Sequence, residues 1–67
     1  MQKIGEGRLM LRQSGKHLIL VQGRRDRVKR FKADEMVGKE VVVFAAYVCE
    51  SSKKKVRNCK PGTLRGF

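Results

Sequence analysis

Residues 39–49, KEVVVFAAYVC, restrict the possible folds more than any other stretch of the chain. β-Branched and aromatic side chains dominate it, and both favour extended backbone. Alternation places Val41, Val43, Ala45, Tyr47 and Cys49 on one face and Val42, Phe44, Ala46 and Val48 on the other. Both faces are apolar, so this strand is expected at the centre of a sheet and covered twice. In 67 residues that leaves a curled barrel strand, or a strand buried where two copies meet. Phe31, Phe44 and Tyr47 are expected in the core.

The flanking segments supply partners for such a strand. Residues 7–22, GRLMLRQSGKHLILVQ, read as a β-hairpin. Ser14-Gly15 lies between two apolar runs, and Gly supplies the φ > 0 of a two-residue turn. That turn pairs Leu11 with Leu18, Leu9 with Leu20, Met10 with Ile19 and Arg12 with His17. Leu9, Leu11, Leu18 and Leu20 then share the core face. The other face, with Arg8, Met10, Arg12, His17, Ile19 and Val21, mixes cations with apolar groups and suits a ligand or solvent. His17, beside the turn, is expected at the surface.

Two readings stay open for residues 24–37, RRDRVKRFKADEMV. Asp26 is suited to cap a helix that buries Val28, Phe31 and Glu35 or Met36. The other reading is a loop followed by one short turn over 33–37. Gly38 ends the turn in either case. Downstream, Glu50 to Asn58 read as a hairpin with Lys53, Lys54 and Lys55 at its tip. Pro61-Gly62 then breaks the chain. The expected architecture is mainly β: a small β-barrel of SH3 or OB size with one short helix or helical turn. Residues 1–59 form the domain and 60–67 a basic extended tail. A core this small supplies no more than ~3–5 kcal/mol net, so a staple or a bound partner matters.

The hairpin register brings Cys49 opposite Cys59. Two buried free thiols and a cross-strand disulfide are both compatible with that spacing. The disulfide suits an intracellular protein of a hyperthermophile better than a mesophile cytoplasm. Even with His17 added, the spacing matches no common zinc module. Asp34 and Glu35 diverge by about 100° on a helix, which fits ion pairing better than paired acid–base catalysis. Gly5-Glu6-Gly7 lacks the Lys-Ser/Thr of a phosphate loop. Nothing in the sequence supports an enzyme, a metal or a cofactor.

Charge is the remaining signal. Residues 21–32 and 51–67 hold 12 of the 17 Lys and Arg residues and carry net charges of +5 and +6. Residues 33–50 are net −3, and the whole chain is +11. Self-repulsion of that size destabilises a small compact domain, so a polyanion is expected to neutralise it. Arg24, Arg25, Arg27, Lys29, Arg30 and Lys32 form the first candidate set, rich in bidentate guanidinium groups. Lys53, Lys54, Lys55, Arg57, Lys60 and Arg65 form the second. The tail, ending in Phe67, suits threading into a groove of folded RNA. No aromatic platform, GXXG loop or recognition-helix module is present, so the contacts expected are to phosphate and shape. The longest apolar run is nine residues, Val41 to Cys49. That is short of the ~20 a membrane helix needs, and no secretory h-region is visible, so the chain reads as cytoplasmic.

Over its full length, the compact β core with a basic extension resembles the small, very basic accessory proteins of archaeal-type ribosomes. That resemblance implies contact with ribosomal RNA. Ser14-Gly15-Lys16, Ile19-Leu20-Val21 and Val37-Gly38-Lys39-Glu40-Val41 are similar to archaeal AbrB-like DNA-binding proteins, over about half the chain. This second resemblance implies a swapped-hairpin dimer, although Gln22 stands where that family usually has a Pro. The function expected is binding of structured RNA as a ribosomal or ribosome-associated protein. The alternatives are a DNA-binding architectural protein or dimeric regulator, and an interaction module for an acidic protein.

Overall fold

Seven strands and one 3-10 turn make up residues 3–65, which are the residues described by the computed structural model. The strands are β1 (Lys3–Leu11), β2 (His17–Val21), β3 (Arg24–Lys29), β4 (Glu40–Phe44), β5 (Tyr47–Ser52), β6 (Lys55–Pro61) and β7 (Thr63–Leu64). The turn spans Asp34–Met36. All ladders are antiparallel, in the order β6-β5-β4-β1-β2-β3-β7. The protein is mainly β.

The two edge strands, β6 and β7, follow one another in the chain with only Gly62 between them. The chain therefore passes from one edge of the sheet to the other within a single residue, which requires strong curling. No ladder joins β6 to β7, so the hydrogen-bonded sheet remains open. The Gly62 N–H donates to the Ala46 carbonyl at 3.1 Å. A Cβ on Gly62 would lie 2.8 Å from Val48 Cγ2 and 3.1 Å from Phe31 Cδ2. Close backbone approach, rather than flexibility, explains glycine at this position. The segment expected as a tail from residue 60 is thus part of the sheet as far as Leu64. Leu64 pairs with Val28 and is buried in the core. Phe67 lies outside the described residues.

The first hairpin forms in a different register. Leu9 pairs with Ile19, Met10 with Leu18 and Leu11 with His17. The connection is a five-residue loop, 12–16, closed by the Arg12 N–H on the Lys16 carbonyl and the Gly15 N–H on the Arg12 carbonyl. Gly15 does adopt φ 77°, but inside this wider loop. A one-residue slip exchanges the faces. Ile19 therefore joins Leu9 in the core and Leu18 is buried on the opposite face, whereas Leu11, on Leu9's face but the last residue of β1, is 46% exposed. His17 is buried, contrary to expectation. Its Nε2 lies 2.9 Å from Asp34 Oδ1, and its ring meets Phe31 edge-on at 5.0 Å.

Residues 24–29 are strand β3, so Asp26 caps no helix. After β3 the chain runs through a loop into the short 3-10 turn, as in the second of the two readings, with Gly38 at φ 86°. Val28, Phe31 and Met36 are buried, whereas Glu35 is exposed. Residues 39–49 form two strands rather than one, with Ala45-Ala46 at the bend and Val43 opposite Val48. Tyr47 is consequently 41% exposed and Phe44 only half-buried. Val41, Val42 and Val43 are all buried within one chain, Val42 opposite Cys49. An irregularity in the β5–β6 ladder lies between Val48 and Glu50. There Cys49 and Cys59 are joined as a disulfide, so neither is a free thiol. No helix among the described residues is long and apolar enough to cross a membrane.

Candidate nucleic-acid interface

The six carboxylates of the Asp and Glu side chains are all engaged. Glu6 pairs with Lys3 at 2.9 Å, Glu40 with Arg8 at 3.3 Å and Asp26 with Arg24 at 3.5 Å. Glu50 pairs with Lys39 at 3.5 Å, Glu35 with Lys60 at 3.9 Å, and Asp34 with His17 at 2.9 Å. Five of the 17 Lys and Arg side chains are thereby used. The other 12 have no carboxylate within 4.0 Å among the described residues.

The ladders place several of these cations on one face. Directly opposed residues share a face. Arg27, Leu18 and Met10 make one row across β3, β2 and β1. Arg25, Leu20, Arg8 and Glu40 make the next. This is the outer face, opposite the one on which Leu9 and Ile19 enter the core. Lys29 alternates onto the same side and pairs with Thr63 of β7. Just beyond β7, the Arg65 N–H donates to the Arg27 carbonyl at 2.9 Å. Arg25, Arg27 and Lys29 of the first basic block therefore meet Arg65 of the second. Arg24 stands apart, paired with Asp26.

A second cluster also joins the two blocks. Arg30, Lys32 and Lys60 line a cleft of about 360 Å³ with Ala33, Glu35 and Pro61. Arg30 sits at φ 60°, a left-handed conformation unfavourable for its side chain. The third group lies on the β5–β6 hairpin. Lys55 and Arg57 are exposed on β6, an edge strand. Charge on an edge prevents pairing with other chains, which accounts for these two without a ligand. It does not account for Lys53 and Lys54, which fill the two-residue turn at φ 49° and 65°. Asn-Gly makes that turn without strain.

Reading charge by blocks left out Lys16 and reached Arg12 only through the hairpin face that suits a ligand; both lie in the loop beside the outer face, with no acid partner among the described residues. Glu50 is a structural acid rather than part of this surface. Asn58 Nδ2 donates to its Oε2 at 3.0 Å. That bond, with smaller help from Lys39 and Arg57, holds the Glu50 carboxyl below the usual glutamate range against the opposing effect of burial. Among the described residues no three His, Cys, Asp or Glu side chains gather into a metal-holding group. No protein-family model matches the chain, and comparisons with curated proteins and with solved structures find no match.

Proposed function

We propose that the protein binds structured nucleic acid through its phosphates, RNA ahead of DNA. One observation carries this reading: every Asp and Glu carboxylate is already paired, and Arg25, Arg27 and Arg65, without an acid partner among the described residues, share a face with Lys29. Like charges held side by side repel unless an anion lies between them. Guanidinium forks match phosphate oxygens bidentately, which suits contact with a nucleic-acid backbone. Arg30, Lys32, Lys60 and the Lys53-Lys54 turn extend the contact surface.

The curled sheet, with its edges joined at Gly62, supports grouping the protein with small β-barrels. The finer proposal is a ribosomal or ribosome-associated protein working in the cytoplasm. Duplex DNA is the runner-up, because phosphate contact alone does not separate the two.

The test is fluorescence anisotropy with an RNA hairpin between 50 and 200 mM salt. About six phosphate contacts lose roughly 10³-fold in affinity over that range. A flat salt response would sink the nucleic-acid reading and favour an acidic protein partner bound by other contacts. Matched DNA and RNA duplexes decide the order of preference. Stable comigration of the native protein with a ribosomal subunit at high salt is expected under the finer proposal; its presence at the top of the gradient removes it.

A further inference from the structure

The outer face holds more than phosphate-binding cations. Beside the β1–β2 loop it opens into a cleft of about 420 Å³. Met10, Leu11 and Leu18 give the cleft its apolar walls, with Leu18 buried. Met10 and Leu11 are 37% and 46% exposed, two of the four large apolar side chains left open to solvent among the described residues. Arg12 and Arg25 also line the cleft, and Gln13 and Ser14 complete it. Among the described residues no carboxylate lines it, and neither arginine has an acid partner.

Resting on the nucleic-acid reading above, we infer that this cleft takes one unstacked base of an RNA bulge or loop. The argument is complementarity of three kinds. The apolar walls gain from covering the face of a base. The planar guanidinium groups of Arg12 and Arg25 stack on bases and hold the phosphates on either side. The Gln13 amide and Ser14 hydroxyl offer both donors and acceptors to a base edge. A purely phosphate-binding face has no use for exposed Met10 and Leu11, which cost free energy in water. A fully paired duplex does not present a base to the cleft without the cost of extruding it, whereas a bulge already does. The concavity also argues against a wedge inserted between stacked bases, which requires protruding apolar groups.

The experiment compares an RNA hairpin carrying a single 2-aminopurine bulge with its fully paired counterpart, at one fixed salt concentration. Phosphate charge is nearly the same in both, so their ratio reports the cleft. The bulged hairpin is expected to bind about tenfold more tightly, the scale of one stacked base, with a change in probe fluorescence. In Met10→Ala and Arg12→Ala that ratio falls to about one. The double variant Gln13→Ala/Ser14→Ala, confined to an exposed loop, guards against loss of folding and is expected to flatten any preference among bulged bases. Equal affinity of the unaltered protein for bulged and paired hairpins overturns the cleft while leaving phosphate binding intact. The same tenfold gain with a bulged DNA overturns RNA as the source of the base. Absence of binding to every probe removes the underlying nucleic-acid reading instead.

Discussion

Arg65 and Arg27 are neighbours across the β3–β7 edge, tied by the Arg65 N–H donating to the Arg27 carbonyl at 2.9 Å. The backbone bond fixes two cations side by side although no carboxylate accompanies either among the described residues. Removing one therefore relieves repulsion in the free protein and loses a contact in the complex. Arg65→Gln is expected to leave the melting temperature unchanged or slightly higher, and to reduce the salt slope of RNA binding by about one. Thermal melting and a salt titration of affinity measure the two effects. An unchanged slope would place Arg65 outside the interface.

The Lys53-Lys54 turn stores strain that turn chemistry could avoid. Both residues are left-handed, at φ 49° and 65°, and neither is Gly or Asn. Replacing them with Asn-Gly is expected to stabilise the fold by about 1–2 kcal/mol, read from the urea midpoint. If these lysines face a ligand, the same change weakens RNA binding and lowers its salt slope. A more stable variant with unaltered binding would leave the two lysines without a role in recognition.

Glu50 makes stability depend on acid pH. Its carboxyl titrates below the ordinary value, first because Asn58 donates to it and then because Lys39 and Arg57 lie near. A depressed folded-state value means that the carboxylate stabilises the fold above the usual glutamate range, near pH ~4.3. That contribution is lost as pH falls through the folded value. The melting temperature is expected to drop below about pH 4, and Glu50→Gln is expected to reduce that drop. Asn58→Ala is expected to raise the Glu50 titration midpoint followed by NMR; no movement would mean that Asn58 is not the main cause.

The Cys49–Cys59 bond closes a short loop, with a sequence separation of 10. Loop-closure entropy at that length corresponds to about 2–3 kcal/mol, a large share of what so small a core supplies. Reduction is expected to shift the urea midpoint down accordingly. Equal midpoints with and without reductant would show that the hairpin holds β5 and β6 together unaided.

Much of this organisation is legible in the residues. The mainly β class, the first hairpin's two strands, a second hairpin turning at Lys53-Lys54 and the facing cysteines come from local pattern, whereas β3, whose residues read as helix or loop, and the place of Lys55 within β6 do not. Local pattern failed at the first hairpin, where loop length sets the register. Ser14-Gly15 suits a two-residue turn, but the loop closes over residues 12–16, and a single-residue slip moves Ile19 into the core and Leu18 and Leu20 onto the opposite face. His17 moves inward with the same slip, next to Phe31 and Asp34. The run 39–49 reads as one strand because alanines carry no turn signal, yet Ala45-Ala46 forms the bend.

The order of residues by itself determined that the chain carries an excess of cations, and where along it they concentrate. Only the tertiary structure decided which of them face one another. Acid partners come from distant positions, as Glu35 does for Lys60 and Glu40 for Arg8. The outer face likewise takes Arg27 and Arg65 from segments far apart in sequence. The physical reason is that strand pairing has a period of two residues. The face a side chain occupies depends on register, and register is settled by loop closure and core packing across the whole sheet rather than by neighbours along the chain.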